Sequence, residues 1–197
     1  MSYGYEYEWD KEYCYPSSNV LINRLGIKKH DELVTAEREI TSLKIAIAKA
    51  EIIKGNFDFE HLKKIHRFIF EDIYTWAGEI RHVNISKGNQ FCLSQNIEMY
   101  AADIFAKLKA DNYLIDYDGN VAHRFAYYLS EINVLHPFRE GNGRAQRLFI
   151  EYLADHAGYK VDFSEVTANE MIIASAESFA CNYDKINAMF ERITTKK

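Results

Sequence analysis

The chain has 197 residues, of which 48% are hydrophobic and 14% aromatic, with only nine glycines and two prolines. This composition supports a full hydrophobic core and excludes disordered-linker, collagen-like and low-complexity proteins. The 24 Lys and Arg residues are outnumbered by 29 Asp and Glu residues, which gives a net charge of -5. Because the chain has no uniform basic field, direct binding of DNA or RNA is not expected.

The three cysteines, Cys14, Cys92 and Cys181, are odd in number and far apart in the sequence. Their spacing matches neither a disulfide framework nor a metal site, which indicates a reducing compartment. The N-terminal residues include acidic groups where a secretory signal would be basic, and no window reaches the length of a membrane span. The sequence therefore predicts a cytoplasmic protein with no membrane partner.

An N-terminal arm is predicted over residues 1–30, because its first half is crowded with tyrosine and acidic residues and lacks helical periodicity. We expect its rings to pack on a single domain formed by residues 31–197. The first helix of that domain is predicted to begin at Asp31 as its N-cap and to stop at Lys54. Its expected buried stripe consists of Leu33, Ile40, Leu43, Ile47 and Ala50.

The rest of the chain alternates apolar periodicity with turn signals. A second helix is predicted after Asp58, running to Trp76 and ending at Gly78. β-Branched and aromatic residues on both sides of residues 87–89 predict one isolated hairpin. The predicted fold class is therefore all-α, a helical bundle that carries a single β-hairpin. Further helices are predicted over about residues 96–111, 120–135 and 142–157, and two short helices in 167–193 that separate near Cys181.

The segment from His136 to Arg147 interrupts this pattern with reactive groups. Pro137 disfavours helical geometry at His136, so the preceding helix should end there and leave the imidazole beside a loop. The glycine turn at residues 141–143 directly precedes an amphipathic helix. Backbone N–H groups at such a helix start suit a phosphate oxyanion, so the segment predicts an anion site.

Three charged side chains complete the segment. Arg144 lies in the first helical turn, where a cation is unfavourable unless an anion is close, and Arg147 follows one turn later on the same face. We expect the two guanidinium groups to converge on one anion. Glu140 offers a hard oxygen ligand for Mg²⁺ shared with substrate phosphates. Each residue alone has an ordinary structural explanation as a cap or surface ion pair, but together they indicate phosphoryl or nucleotidyl transfer.

The run HPFREGNGRAQR at residues 136–147 resembles the signature of the Fic family, H-x-F-x-[DE]-G-N-G-R-x-x-R, at every position. The resemblance extends to the run WAGEIR at residues 76–81, to residues 84–89 of the hairpin and to residues 15–16 and 25–27, so it covers nearly the whole chain. It implies the Fic fold, a helical core with a β-hairpin flap. It also implies transfer of AMP from ATP to a hydroxyl side chain of a target protein.

The same resemblance implies a role for each motif residue. His136 resembles the base that takes the proton from the target hydroxyl, and Glu140 resembles the Mg²⁺ ligand. The unperturbed histidine pKa of ~6.5 lets a neutral base exist at cytoplasmic pH, and a metal with arginines offsets charge on the departing pyrophosphate. The implied ATP contacts are an anion hole formed by Gly141, Asn142 and Gly143, with Arg144 at the β-phosphate and Arg147 at the γ-phosphate.

The flap, at about residues 83–94, is expected to hold the target by adding its segment as a strand. Phe91 would act as a hydrophobic clamp, and packing in the core of the hairpin is an equal alternative. Lys87 and Asn133 match family positions close to the nucleotide; a solvated lysine and an asparagine on a helix face are the alternatives. The predicted flap contacts to the target are Ile85, Ser86, Gly88 and Phe91.

Regulation is also suggested by the family. Many members are held inactive by a glutamate in an [ST]-x-x-x-E-[GN] helix that pairs with the second motif arginine. Residues 35–39 match the first five positions and end in Glu39, but Ile40 breaks the sixth, and an ordinary amphipathic helix explains this stretch more simply. The chain resembles the stand-alone toxin members, which implies a separate small antitoxin protein and points first to type II topoisomerase subunits as targets.

Two other functions stay open at the level of sequence. A protein of the same fold could transfer phosphate or another nucleotide, although Glu140 and the intact glycine turn favour AMP. A non-catalytic interaction module would use the net charge of -5 and the tyrosine-rich arm as a partner surface. The intact base and metal ligand argue against such a module.

Overall fold

The protein is described by a computed structural model at residues 6–7 and 12–197. Its described part is mainly helical, and no helix in that part is long and apolar enough to cross a bilayer. The α-helices are α1 (His30–Ala50), α2 (Phe59–Phe70), α3 (Ile97–Ala110), α4 (Val121–Leu135), α5 (Asn142–His156), α6 (Ala168–Phe179) and α7 (Asp184–Ile193). The strands are β1 (Glu6–Tyr7), β2 (Ile85–Lys87), β3 (Asn89–Gln90), β4 (Tyr159–Val161) and β5 (Thr194–Lys196).

Helix α5 lies at the centre of the molecule, where it packs against α2 and α4. Leu148, Phe149, Ile150 and Leu153 are buried along its length. Complete burial of one such side chain contributes about 1.5–3 kcal/mol, so this helix is firmly held. The loop between α4 and α5 contains the motif residues, and the two central helices therefore fix both ends of that loop.

Helix α1 buries only part of the predicted face. Leu33, Thr41 and Ala48 are buried, whereas Leu43 is 64% exposed and Ile47 is 39% exposed. The predicted stripe is confirmed at Leu33 and, in part, at Ile40, and it is wrong at Leu43 and Ile47. Thr41, a polar residue outside that stripe, faces inward and contacts Arg144 of the site. Asp31 is not the N-cap either: the helix begins at His30, and Asp31 lies in its first turn, where a carboxylate interacts favourably with the helix dipole.

Helix α2 begins as predicted, because the Asp58 side chain accepts a hydrogen bond from the His61 backbone N–H. It ends at Phe70 rather than at Trp76. The following turn brings the Gly78 N–H within 2.8 Å of His66 Nδ1. A continuous helix would separate positions 66 and 78 by about 18 Å, so the early end of α2 is what permits this contact.

The predicted hairpin is present, with Lys87 opposite Asn89 across Gly88. Contrary to the prediction it is not isolated, because the backbone of β1 pairs antiparallel with β2, placing Tyr7 opposite Ile85. Strands β4 and β5 form a second antiparallel pair. Pairings of two or three residues are too short to leave an alternating pattern, which is why the sequence did not predict them.

Candidate active site

His136 is the C-cap residue of α4 and has a left-handed backbone conformation, with φ 43° and ψ 59°. This conformation costs of order 1–3 kcal/mol in a non-glycine residue. Its carbonyl accepts a hydrogen bond of 2.8 Å from Arg81 Nε, and the Arg81 backbone N–H donates to the Pro137 carbonyl at 2.9 Å. These contacts hold the strained backbone in place beside the loop, as the sequence predicts.

The imidazole of His136 is oriented by a hydrogen bond at Nδ1 and by an aromatic ring stacked on it. Its Nδ1 lies 3.1 Å from the Asn133 carbonyl, which can only accept, so Nδ1 carries the proton and Nε2 carries a lone pair. The Phe91 ring stacks on the imidazole at 3.7 Å between centroids, leaving His136 4% exposed. Burial lowers the pKa of His136 to about 3, and the positive charges of Arg81 and Lys87 contribute. The ring is therefore neutral and available as a base.

The loop after His136 is closed by Asn142. Its side-chain oxygen accepts from the Phe138 N–H at 2.8 Å, and its side-chain nitrogen donates to the Phe138 carbonyl at 2.7 Å. Gly141 has φ +80°, and a Cβ there would lie 2.2 Å from the Phe70 ring. Asn142 and Gly143 form the first turn of α5, whose leading N–H groups lack intrahelical acceptors and favour an anion.

Glu140 lies at the base of this loop, where its Oε1 accepts from the Gly141 N–H at 2.8 Å. Burial raises the pKa of Glu140, the nearby Glu37 carboxylate raises it further, and Arg144 opposes both. His66 Nε2 contacts the Glu140 carbonyl at 2.9 Å, and its ring stacks on Phe138 at 3.8 Å. The loop is thereby fastened to α2.

Arg144 is held by α1 across 107 residues of sequence. Its Nη2 lies 2.6 Å from Glu37 Oε1, its Nη1 lies 3.2 Å from Thr41 Oγ1, and its guanidinium covers the Phe70 ring. The Tyr74 hydroxyl donates to the same Glu37 carboxylate. Sequence analysis had considered Glu39, which is exposed. It missed Glu37, because the pair depends on a long-range contact that helical periodicity does not report.

A cavity of about 430 Å³ lies between the hairpin, the end of α4, the start of α5 and α6. The predicted residues that do not line it are Glu140, Gly141, Asn142, Arg144, Ile85 and Ser86. The Ile85 side chain, in strand β2, is buried. The predicted residues that line it are Lys87, Gly88, Phe91, Asn133, His136, Gly143 and Arg147. The lining residues that sequence analysis missed are Asn89, Gln146, Met171, Ile172, Ser175, Ala176 and Phe179. No motif marks the α6 residues, so only the fold could identify them.

The residues present fit a magnesium ion that is shared with phosphate. Among the described residues, no group of three or more His, Cys, Asp and Glu side chains could hold a metal by itself. Mg²⁺ usually takes one or two carboxylates and completes its coordination with waters and substrate phosphates. The half-buried carboxylate of Glu140, beside the N-terminus of α5, is a carboxylate of the kind that such a site uses.

The fold is helical and carries a hairpin flap, and it combines a left-handed histidine, a glycine turn at a helix start and an arginine on the cavity wall. These features define the class of Fic-fold proteins. The chain belongs to the Fic/DOC family, which matches residues 56–154. The resemblance drawn from the motif is thus confirmed, as is the helical fold with its flap.

Sequence relatives extend the match beyond this region. The chain is 41% identical over 186 residues to the protein adenylyltransferase VbhT of Bartonella schoenbuchensis, covering 93% of this chain but 39% of VbhT. It is 36% identical to the probable protein adenylyltransferase y4lH of Sinorhizobium fredii, covering 91% of this chain and 94% of y4lH. The crystal structure of BepC from Bartonella tribocorum with bound AMPPNP is similar, with a TM-score of 0.89, 28% identity, and coverage of 95% of this chain and 98% of BepC.

Proposed function

We propose that this chain is a protein adenylyltransferase, which transfers AMP from ATP to a hydroxyl side chain of a target protein. The observation that carries the proposal is the neutral His136, whose Nδ1 is bonded to a carbonyl and whose Nε2 is therefore the unprotonated nitrogen, on the wall of a cavity shared with Arg147. The names of VbhT and y4lH, together with the AMPPNP in BepC, support this reaction. The proposed catalytic unit is residues 31–197, with residues 1–30 as its arm.

The cavity suggests how ATP would lie. The phosphates would meet the start of α5, at the backbone of residues 141–143, with Arg147 at the γ-phosphate and Arg144 at the β-phosphate. Lys87 and Asn133 line the same space and add polar contacts. At the other end, α6 presents an apolar wall that suits the flat adenine ring. The residues of that wall are Met171, Ile172, Ala176 and Phe179.

The reaction needs one proton acceptor and several cationic groups. His136 Nε2 would take the proton from the target hydroxyl as its oxygen attacks the α-phosphorus, and the bond to the bridging oxygen would break to release pyrophosphate. Arg144 and Arg147 would offset the charge that develops on this leaving group. Glu140 would hold Mg²⁺, which supplies further charge neutralisation at the phosphates when bound.

The flap would bind the target as an added strand. Strand β3 is exposed at the edge of the sheet, whereas the backbone of β1 occupies the other edge, along β2. A target segment that takes the place of β1 would pair with Ile85 and Ser86 of β2 and reach the turn at Gly88, whereas a segment added to β3 would pair with residues 89–90. Phe91, which packs on His136, would then clamp the segment near the base.

We further propose inhibition by a separate small antitoxin and activity in the cytoplasm, where ATP is available. A groove of about 240 Å³ runs between α1, α5 and residues 163–164, and both Arg144 and Arg147 border it. An antitoxin glutamate placed there would pair with Arg147 and compete with the γ-phosphate for the same guanidinium. Type II topoisomerase subunits are the first targets to test.

The test is label transfer in a bacterial lysate with Mg²⁺, using ATP labelled at either the α- or the γ-phosphate. We expect protein bands labelled from the α position with the wild-type chain and none with His136→Ala. Label from the γ position alone would instead assign phosphoryl transfer. Calorimetric ATP binding without label from either position would favour a non-catalytic module.

A further inference from the structure

Arg81 is a buried arginine outside the motif, with 1% of its surface exposed. Its guanidinium donates to three backbone carbonyls: Nε to His136 at 2.8 Å, Nη1 to Val83 at 2.6 Å and Nη2 to Cys92 at 2.5 Å. The rigid, planar fork of arginine permits this simultaneous grip. One side chain thus joins three separate segments of backbone.

Burial of the Arg81 charge has an unfavourable free energy of desolvation. Removal of a guanidinium from water costs several kcal/mol unless hydrogen bonds compensate, and burial lowers the pKa of Arg81 to about 10. Within the described residues its guanidinium is held by carbonyl dipoles and takes part in no ion pair. An apolar side chain at this position would leave the three carbonyls without this donor, so the charged fork is what ties His136 to the two ends of the flap.

The three carbonyls mark the base of the flap and the catalytic loop. Val83 and Cys92 are the two ends of the segment that carries the hairpin, and the Cys92 N–H also donates to the Val134 carbonyl at the end of α4. Phe91 precedes Cys92 directly and stacks on the His136 ring. A shift in the Arg81 fork would therefore move the flap ends and His136 relative to each other.

We propose that Arg81 is a positioning residue for adenylyl transfer, which fixes the spacing between the His136 base and the flap that presents the target hydroxyl. This inference rests on the proposed function. Arg81 does not line the cavity, so it acts through the backbone of His136, Val83 and Cys92. Misplacement of a base by about 1 Å can cost on the order of 100-fold in rate, which is the scale of effect we expect.

The test compares Arg81→Lys and Arg81→Gln with the wild-type chain. Lysine keeps the charge but has no fork, and glutamine keeps a short polar group without charge. We expect kcat for target modification to fall by about 30-fold or more in both variants. We expect the ATP dissociation constant, measured by calorimetry, to stay within about threefold, because the phosphate-binding groups lie elsewhere. The matched control is Arg67→Lys, an exposed arginine that donates to one carbonyl in the turn after α2.

A second readout does not depend on activity. Nitrogen NMR of the His136 imidazole, assigned with His136→Ala, should show shifted ring signals in Arg81→Lys and unchanged signals in Arg67→Lys. An unchanged kcat with unchanged ring signals would overturn the inference, as would equal losses of kcat and ATP affinity, which indicate general destabilisation. Absence of activity in the wild-type chain would refute the proposed function instead, and the ring signals would still decide whether Arg81 positions His136.

Discussion

A few contacts determine the protonation state and the tautomer of His136. The Asn133 carbonyl assigns the proton to Nδ1, the Arg81 fork holds the strained backbone, and Phe91 covers the ring. The sequence motif predicts which residue serves as the base. These contacts explain why that residue is neutral and which nitrogen accepts the proton.

The lowered pKa of His136 predicts activity on the acid side of neutrality. An unperturbed histidine loses its base form below about pH 6.5, whereas burial lowers the pKa of His136 to about 3. We expect kcat/KM for the target, at saturating ATP, to remain above half of its maximum at about pH 5.5. A half-maximal point close to pH 6.5 would contradict the assignment.

The lowered pKa of His136 also makes folding stability depend on pH, which limits the pH range of that experiment. A buried neutral histidine contributes stability that is present above its unfolded pKa of ~6.5 and is lost as pH falls toward its folded value, since the unfolded chain binds the proton first. Thermal unfolding should therefore be followed across the same pH range. Rates are to be compared only where the chain is fully folded.

The ion pair between Glu37 and Arg144 predicts that alanine substitutions of Glu37 and Glu39 lower the free energy of unfolding by different amounts. Glu37→Ala removes the α1 carboxylate that accepts from the partly buried Arg144 guanidinium, and loss of such a charged hydrogen bond costs about 2 kcal/mol. Glu39→Ala on the exposed face should change stability by less than about 0.5 kcal/mol. Denaturant unfolding of the two variants checks this, and similar effects would show that the Glu37–Arg144 pair contributes little.

Gly141 allows a comparison of two glycines with positive φ. A Cβ at Gly141 meets the Phe70 ring, whereas a Cβ at Gly26 meets nothing within 4 Å. Gly26→Ala should cost about 1 kcal/mol for the left-handed backbone alone, and Gly141→Ala about 3 kcal/mol because the clash adds to it. If denaturant unfolding gives the same loss of stability for Gly26→Ala and Gly141→Ala, the Phe70 ring moves aside without a measurable free-energy cost.

The flap is the element whose partner sequence analysis did not predict. Alternating residues around Gly88 identify a hairpin, but the pairing of β1 with β2 involves only Glu6 and Tyr7. Likewise, periodicity located the helices but extended α2 beyond Phe70, and it placed Leu43 and Ile47 on the buried face of α1. The structure instead buries Thr41, which contacts Arg144. The periodicity of apolar residues predicts where a helix lies in the sequence. Polar contacts between distant segments also determine which of its faces is buried.

Removal of β1 should affect target binding if the target uses the edge of β2. The double variant Glu6→Pro/Tyr7→Pro removes backbone donors from the strand and disfavours its pairing. We expect the target KM to fall about fivefold, the equivalent of roughly one net hydrogen bond. Deletion of residues 1–4, which leaves the strand itself intact, is the control. An unchanged KM would place the target on the free edge of β3.

At the scale of the whole molecule, three long-range contacts assemble the site. Glu37 reaches Arg144 across 107 residues, His66 reaches the Glu140 carbonyl across 74, and Arg81 reaches the His136 carbonyl across 55. The motif itself is local and could be read from the sequence. Its supports come from α1, α2 and the turn before the flap, and none has a signature that one sequence reveals.

The central claim is that this assembly transfers AMP by means of His136. The most direct measurement uses purified chain, Mg²⁺, ATP and a modified target, and compares pyrophosphate released with adenylyl groups found on the target by mass spectrometry. We expect one adenylyl group for each pyrophosphate with the wild-type chain and loss of both products with His136→Ala. Equal transfer by His136→Ala, or a target that gains a phosphate instead of AMP, would contradict the account.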